Sequence, residues 1–180
     1  MKLRIISGKF GSQQIDSPSG HKTHPMSEKL RGAIFNSLGD IKGLSLLDAY
    51  SGSGAIALEA ISRGANNVIA IDSSKLAVQA IKKNALALGA ELKVTQANIS
   101  SWQSNNPSLR FDIVVCDPPY DSINFVHIKN LVNAIKPGGV FIISIPPKLF
   151  NEINDLSAHL SLITKKDYGD AMLVFYRRIR

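Results

Sequence analysis

The chain has 180 residues, 44% apolar and 19% charged, so it can build one full hydrophobic core but not two ordinary domains. No stretch approaches the roughly 18 consecutive apolar residues of a membrane span, and the first eight residues lack the apolar centre of a signal peptide. A single cysteine excludes an internal disulfide, and the four histidines show no metal-ligand spacing. We therefore expect a soluble, cytoplasmic protein that contacts no membrane and holds no metal.

The net charge of +7 is carried by the two ends of the chain. Residues 1 to 43 hold seven Lys and Arg against three acidic residues, residues 159 to 180 hold five against two, and the middle has nine of each sign. A neutral centre with basic ends indicates a polyanionic partner, and nucleic acid is the first candidate. Basic ends that only confer solubility explain the charge equally well.

The N-terminal stretch predicts a small appendage. Apolar residues near 3–6 and 13–16, separated by glycines, favour a hairpin of two short strands. Residues 26–38 repeat apolar side chains at helical spacing, with Ser27 as N-cap and Gly39 as the stop. The opposite face of that helix takes three charged side chains, Glu28, Lys29 and Arg31. Residues 1–43 are thus predicted to form a hairpin and helix laid against a main domain of residues 44–180.

The main domain begins with alternating strands and helices. Strands are predicted at 44–50, 68–71 and 92–95, and helices at 55–63 and about 75–88. The first strand is followed by a glycine turn, S-G-S-G, and the second ends at Asp72. Strand, glycine turn and helix form the first half of a nucleotide-type βαβ unit, in which a carboxylate on the next strand can take both ribose hydroxyls.

The fourth strand of the main domain is predicted at Phe111–Cys116, a nearly continuous apolar run that suits a strand buried on both faces of a parallel sheet. It stops at Asp117, because the two prolines that follow cannot continue a ladder. Ligands of open α/β sheets bind at this carboxyl end of the strands. After it we predict a helix at 123–135, a strand at 140–145 and a weaker helix near 149–156.

Two last strands are predicted at 161–165 and 172–179. The link between them is too short for a parallel crossover, so they must be antiparallel. The whole chain is therefore predicted as an α/β protein with a seven-stranded, Rossmann-like sheet and an antiparallel last strand. Seven-stranded methyltransferases share this arrangement.

The glycine turn also satisfies G-x-G-x-x-A over residues 52–57, which keeps a nicotinamide enzyme open as an alternative. Asp48 before the turn, Asp72 on the next strand and D-P-P-Y after the fourth together favour S-adenosylmethionine instead. Its amino acid part would lie on the glycines, and Asp72 would hold its ribose. The residues predicted to bind this cofactor are Asp48, Ser51, Gly52, Gly54, Asp72, Ser73, Asn98 and Ile99.

Two segments, L-L-D-A-Y-S-G-S-G and D-P-P-Y, resemble motifs I and IV of amino methyltransferases. A third, H-P-M-S-E-K-L-R-G-A-I-F-N at 24–36, is similar to R-P-T-T-D-R-V-R-E-x-L-F-N of RsmD-like enzymes, which methylate guanine N2 in small-subunit ribosomal RNA. R-I-I-S-G-K-F precedes it in the same order, so the likeness covers nearly the whole chain. Pro25, Arg31, Phe35 and Asn36 match the family, and the departures include His24, Met26, Ser27, Lys29 and Gly32.

The resemblance implies transfer of a methyl group to a guanine N2 amine of 16S ribosomal RNA within an assembling small-subunit particle. Asp117 and the Pro118 carbonyl would each accept one N–H of the amine, and Tyr120 would stack on the base. Phosphate contacts are predicted for five basic residues: Arg4, Lys9, Lys22, Lys29 and Arg31.

Three alternatives stay open besides the nicotinamide enzyme. An adenine-N6 DNA methyltransferase would normally carry a separate recognition domain, for which the chain has no room. A protein glutamine methyltransferase resembles N-P-P-Y rather than D-P-P-Y. A non-catalytic RNA-binding assembly factor could retain the fold, because fold alone does not imply activity.

Overall fold

The structure, a computed structural model, describes residues 1–18 and 25–179. A two-stranded antiparallel sheet stands beside a seven-stranded sheet, which has helices on both faces. The strands are β1 (Lys2–Arg4), β2 (Gln14–Asp16), β3 (Leu46–Ala49), β4 (Val68–Asp72), β5 (Lys93–Gln96), β6 (Phe111–Cys116), β7 (Ile135–Ile145), β8 (Leu160–Asp167) and β9 (Met172–Arg178). The helices are α1 (Glu28–Leu38), α2 (Ala55–Ser62), α3 (Lys75–Leu88), α4 (Ile99–Asn105) and α5 (Phe125–Leu131), with 3-10 segments at Val132–Ala134 and Pro147–His159.

The large sheet has the order β5-β4-β3-β6-β7-β9-β8, and β9 runs antiparallel to both of its neighbours. The chain moves outward from β3 to β5 and then returns to place β6 on the other side of β3. That reversal is the topological switch point at which open α/β sheets bind ligands. The predicted fold class is confirmed, including the antiparallel last strand.

The N-terminal appendage is fastened to α2 by hydrogen bonds. The Glu59 carboxylate accepts from the backbone N–H of Ile6 at 2.7 Å and of Ser7 at 3.0 Å. A side chain at Gly8 would place its Cβ 1.9 Å from the Ser62 carbonyl oxygen, so only glycine permits this approach. Apolar residues of the appendage join the core on the same face of the sheet as α2: Ile5, Phe10, Ile15, Ile34 and Phe35. The appendage therefore shares one core with the rest of the protein.

The predicted helix α1 is confirmed with both of its caps. The Ser27 side chain accepts from the Leu30 N–H, and Gly39 ends the helix at φ +70°. The helix predicted at 123–135 is shorter in the structure: α5 ends at Leu131, and a 3-10 turn follows it.

Strand β7 begins at Ile135 and not at the predicted residue 140. Ile135 pairs with Phe111, and the register between β6 and β7 then shifts before Ile113 pairs with Val140. Gly139 fits inside this irregularity because a Cβ there would lie 2.8 Å from the Asp112 carbonyl oxygen. Helix α4 was not predicted, and the weak helix near 149–156 is a 3-10 segment in the structure.

Candidate active site

Three loops meet at the carboxyl edge of the large sheet. β3 and β6 are parallel neighbours in which Ala49 pairs with Cys116, and β4 lies on the other side of β3. The glycine loop after β3 therefore lies between Asp72, at the end of β4, and Asp117, directly after β6. The structure thus brings together the predicted cofactor loop and the predicted D-P-P-Y loop.

The glycine loop holds left-handed backbone at three alternate positions, Tyr50 (φ +66°), Gly52 (φ +53°) and Gly54 (φ +77°). Tyr50 is unusual because a bulky side chain seldom adopts this conformation unless its surroundings enforce it. A Cβ built on Gly52 meets no atom within 4 Å, whereas one on Gly54 lies 3.0 Å from Ile81. Gly52 therefore faces the open side of the loop, where a ligand can approach its backbone.

The Asp72 carboxylate stabilises the glycine loop by hydrogen bonds. One carboxylate oxygen accepts from the Gly52 N–H at 2.8 Å and the other from the Ser74 N–H at 2.8 Å. Since each carboxylate oxygen can accept more than one hydrogen bond, Asp72 retains capacity for ligand hydroxyls.

Ser51 has a structural role. Its buried hydroxyl donates to the Asp48 carbonyl at 2.6 Å and accepts from the Ile71 N–H at 2.9 Å. The Ser51 side chain therefore joins β3 to β4.

Asp48 is 2% exposed and lies beneath the glycine loop. One of its carboxylate oxygens accepts from the Ala57 N–H at 3.1 Å. The pKa of Asp48 is raised to about 8, chiefly by burial; the negative charges of Asp117 and Asp72 contribute to this rise, and the Ala57 hydrogen bond opposes it. A buried carboxyl beside two other carboxylates creates a strong demand for positive charge at this point.

Asp117 and Tyr120 are joined by a residue that the sequence analysis missed. The Tyr120 hydroxyl lies 2.6 Å from the Ser144 hydroxyl, which also hydrogen-bonds the Asp117 side chain. Ser144 is buried near the end of β7. Burial raises the pKa of Asp117 to about 6, and the Ser144 hydrogen bond opposes the rise. A lone hydroxyl in the apolar run V-F-I-I-S-I was the available signal.

Tyr120, the predicted aromatic platform, is partly exposed. It is 38% exposed, and its hydroxyl is held by Ser144. Burial raises the pKa of Tyr120, the Ser144 bond opposes the rise, and Asp117 adds to it. Tyr120 is therefore a neutral, oriented ring at neutral pH.

The remaining predicted cofactor residues lie at the same edge. Asn98 is the N-cap of α4, and its side-chain oxygen accepts from the Ser101 N–H at 2.8 Å. Ile99 is buried in the core, and the Ser73 carbonyl accepts from Gln96. The part of Asn98 in binding adenine stays a prediction, because its oxygen already serves the helix.

These residues fit S-adenosylmethionine, which carries positive charge on its sulfonium and on its amino group. Asp72 and Asp117 are close enough to Asp48 for their charges to act on it. Among residues 1–18 and 25–179, none of the three forms an ion pair with Lys or Arg. A bound cation would supply the missing charge, and the open face of Gly52 gives it room.

The prediction that Arg31 contacts RNA is wrong. The Arg31 side chain is 1% exposed, and its guanidinium donates to the carbonyls of Met26 at 3.1 Å and Arg4 at 2.6 Å. It ties the start of α1 to β1. Its spacing from Ile34 and Phe35, three and four residues later, places all three on the buried face of the helix and was the signal available in the sequence.

The other predicted RNA contacts are spread over the molecule. Arg4 pairs with Glu28 at the start of α1, and the Lys29 amine lies 5.4 Å from the centre of the Tyr168 ring. Lys9 is far from both, because its N–H bonds the carbonyl of Ser62 at the last residue of α2, on the amino edge of the sheet. Lys22 lies outside the described residues.

Within the described part of the chain, no helix is long and apolar enough to cross a membrane. The same residues contain no group of three or more His, Cys, Asp or Glu side chains placed to hold a metal ion.

This sheet order, with a glycine loop after its first strand and D-P-P-Y after its fourth, defines an S-adenosylmethionine-dependent methyltransferase fold. Solved structures agree: the Escherichia coli protein yhhF matches with a TM-score of 0.84 at 24% identity over 99% of both chains. The T. thermophilus 16S rRNA N2 G1207 methyltransferase RsmC, solved with AdoMet and guanosine, matches with a TM-score of 0.75 at 21% identity, over 100% of this chain and 50% of that one.

The chain belongs to the family described as Conserved hypothetical protein 95, whose profile matches residues 3–177. The resemblance to RsmD-like enzymes is thereby confirmed. Ribosomal RNA small subunit methyltransferase D of Buchnera aphidicola subsp. Baizongia pistaciae is 33% identical over 121 residues, 66% of this chain and 61% of that relative. The protein of the same name from Escherichia coli K12 is 27% identical over 185 residues, covering 98% of this chain and 90% of that relative.

Proposed function

We propose that this protein transfers a methyl group from S-adenosylmethionine to the exocyclic N2 amine of a guanine in small-subunit ribosomal RNA. The observation that carries the proposal is the position of Asp117, which follows β6 beside the glycine loop and is joined through Ser144 to Tyr120. The two relatives named as small-subunit ribosomal RNA methyltransferases support the class of substrate.

An aromatic amine attacks poorly because its nitrogen shares its lone pair with the ring. Acceptance of one N–H by Asp117 and of the other by the Pro118 carbonyl would hold the nitrogen so that its lone pair points away from the base plane. When bound, the cofactor supplies an electrophilic methyl group on a sulfonium. As the nitrogen–carbon bond forms, the ionised Asp117 stabilises the positive charge that develops on nitrogen and then accepts the departing proton.

Tyr120 would hold the base after it leaves its stack, since base–aromatic stacking contributes about 1–3 kcal/mol. Asp48, Asp72 and the backbone of Gly52 would hold the cofactor. We assign the chemistry to residues 44–180 and part of the RNA contact to residues 1–43, through Arg4 and Lys29. We infer a cytoplasmic location from the proposed substrate, a ribosomal particle in assembly.

Labelled S-adenosylmethionine tests the proposal on three substrates: small-subunit particles from cells lacking this protein, naked ribosomal RNA and duplex DNA. The expected product is N2-methylguanine in the particles. Asp117→Ala should lower the rate at least about 100-fold in a protein that still binds the cofactor. Asp121→Ala, an exposed carboxylate four residues later, is the matched control and should leave the rate unchanged.

If the product were N6-methyladenine, the target of methyl transfer would be the N6 amine of adenine and not the N2 amine of guanine. Cofactor binding without label in any nucleic acid would contradict the RNA substrate altogether.

A further inference from the structure

A groove beside the candidate active site has no part in the chemistry above. It lies between α1 and the turn that follows β8, has a volume of about 510 Å³, and has the small residues Gly32 and Ala33 on its α1 side. This volume is within the roughly 300–1,000 Å³ of small-ligand sites. Because neither residue has a long side chain, a flat molecule could lie against the helix.

The walls of the groove carry an aromatic ring and two amines. Tyr168 is half-buried, and the Lys29 amine is held 5.4 Å from its ring centre. Lys166 is held on the other wall by donating to the Ser37 hydroxyl at 2.8 Å. Asn36 adds an exposed amide. A ring for stacking, amines for phosphate and an amide for a base edge are the groups that hold a nucleotide of single-stranded RNA.

Three of the residues that line the groove are charged: Glu28, Lys29 and Lys166. Glu28, which also lines the groove, is paired with Arg4. The Asp167 carboxylate accepts from the Gly169 N–H within the turn. Of the three charged lining residues, Lys29 and Lys166 are therefore the two without an ion-pair partner in the described part of the chain.

The groove opens at the same edge of the sheet as the methyl-transfer site. Met172, which follows the turn, pairs with Ile145 at the end of β7. Asp117 directly follows Cys116, which pairs with Ile143 on the same strand. If one nucleotide of an RNA strand lies at Asp117, a neighbouring nucleotide of the same strand would thus reach the groove.

We propose that this groove, formed by Lys29, Asn36, Lys166 and Tyr168, binds a nucleotide that flanks the target in a single-stranded segment of the RNA. The proposal rests on the proposed function for the identity of the polymer. It adds a second contact point, which fixes the register of the strand relative to the methyl-transfer site.

Photo-crosslinking tests the contact directly. The full chain with S-adenosylmethionine is mixed with guanine-containing single-stranded RNA of about 16 nucleotides, substituted with 5-iodouridine at successive positions. Irradiation should attach the RNA to Tyr168, identified by mass spectrometry of the digested protein. Attachment only at other aromatic residues, or a crosslink between two protein copies at Tyr168, overturns the proposal.

Affinity measurements separate the groove from the chemistry. Tyr168→Leu should weaken binding of the same RNA about tenfold, while Tyr168→Phe, which keeps the ring, should bind like the wild type. Lys29→Ala should lower the slope of log affinity against log salt by about 0.7, and Lys93→Ala on the opposite edge should not. Cofactor affinity should be the same in all of them, which also shows that the variants are folded.

The two proposals fail in different ways. Unchanged RNA affinity in Tyr168→Leu, together with methylation that still depends on Asp117, removes the groove and leaves the proposed function. Loss of RNA affinity in Tyr168→Leu, in a wild-type protein that methylates no RNA, keeps the groove and removes the proposed function.

Discussion

Asp48 is a buried carboxyl group whose ionisation opposes folding. Burial raises its pKa to about 8 in the folded protein, against about 3.9 for an unperturbed Asp. Between these values the folded chain binds one more proton than the unfolded chain. The free energy of unfolding therefore falls by about 1.4 kcal/mol for each pH unit from this group, and the loss is complete above pH 8.

Asp48→Asn should remove this slope, because the amide has nearly the same shape, keeps an acceptor for the Ala57 N–H and does not titrate. We expect the variant to match the wild type near pH 4 and to exceed it by a few kcal/mol at pH 8, measured by urea unfolding across this range. Asp170→Asn, at an exposed turn position, is the control and should keep the wild-type slope. Parallel slopes for Asp48→Asn and the wild type would show that Asp48 is ionised in the folded protein.

Ser144 orients both groups of the proposed amine site. Ser144→Ala removes the hydrogen bond that favours the ionised form of Asp117, so the pKa of Asp117, about 6, should rise. We expect the acid limb of the kcat–pH profile to move upward and kcat at pH 7 to fall about tenfold. Ser144→Thr keeps the hydroxyl and should restore both. An acid limb that stays in place in Ser144→Ala would mean that Ser144 only fills space.

The location of an individual residue was predictable where its position in the sequence, at the end of a predicted strand, is enough to determine it. Asp72 and Asp117 follow apolar strands, so their location at one sheet edge could be predicted from the strands. The partners of Arg31 and Ser144 come from segments distant in sequence, β1 for Arg31 and the D-P-P-Y loop for Ser144. The local pattern could indicate that each side chain is buried, but not which distant groups it meets, which is why the sequence placed one wrongly and missed the other.

At the scale of elements, Asn84 of α3 links the appendage to the glycine loop. Its side-chain oxygen accepts from the Asp16 N–H at 2.9 Å, and its amide donates to the carbonyls of Asp16 at 2.8 Å and Ser53 at 3.1 Å. Asn84 is 3% exposed. The conformation of the cofactor loop therefore depends on β2 as well as on α3.

Asn84→Ala leaves three backbone groups without this partner and should lower the free energy of unfolding by about 2–3 kcal/mol. Because the Ser53 carbonyl is released as well, we expect the affinity for S-adenosylmethionine to fall several-fold. Urea unfolding and calorimetric titration measure the two effects. Asn130→Ala, an exposed asparagine on α5, should change neither. Stability lost with cofactor affinity unchanged would mean that the loop holds its shape without Asn84.

Elements were predictable where one short-range pattern governs them. The caps of α1 and the turn between β8 and β9 are set by neighbours in sequence, and both were confirmed. The start of β7 was misplaced because Ile135 is extended only through its pairing with Phe111, a contact between separate elements. Helix α4 is seven residues long and has little apolar periodicity, so its sequence did not distinguish it from a loop.

For the molecule as a whole, the sequence predicted a basic N-terminal segment and could not show that the segment spans the protein. The chain runs from Arg4, near the start of α1, down along α2 to Lys9 beside the end of that helix. Arg4 and Lys29 therefore lie toward the methyl-transfer edge, and Lys9 lies at the amino edge. Net charge attracts RNA from any side, but only the nearer residues can contact a strand bound at Asp117.

Two double variants with equal charge separate these effects. Arg4→Glu with Lys29→Glu and Lys9→Glu with Lys93→Glu each lower the net charge from +7 to +3, so the long-range field weakens by the same amount. We expect the first pair to weaken RNA binding at least about tenfold more than the second and to reduce the salt slope further, since it alone removes phosphate contacts. Equal losses would mean that the RNA reaches both edges and that the predicted contact at Lys9 is made. That result would require an RNA footprint that extends along α2 from one edge of the sheet to the other.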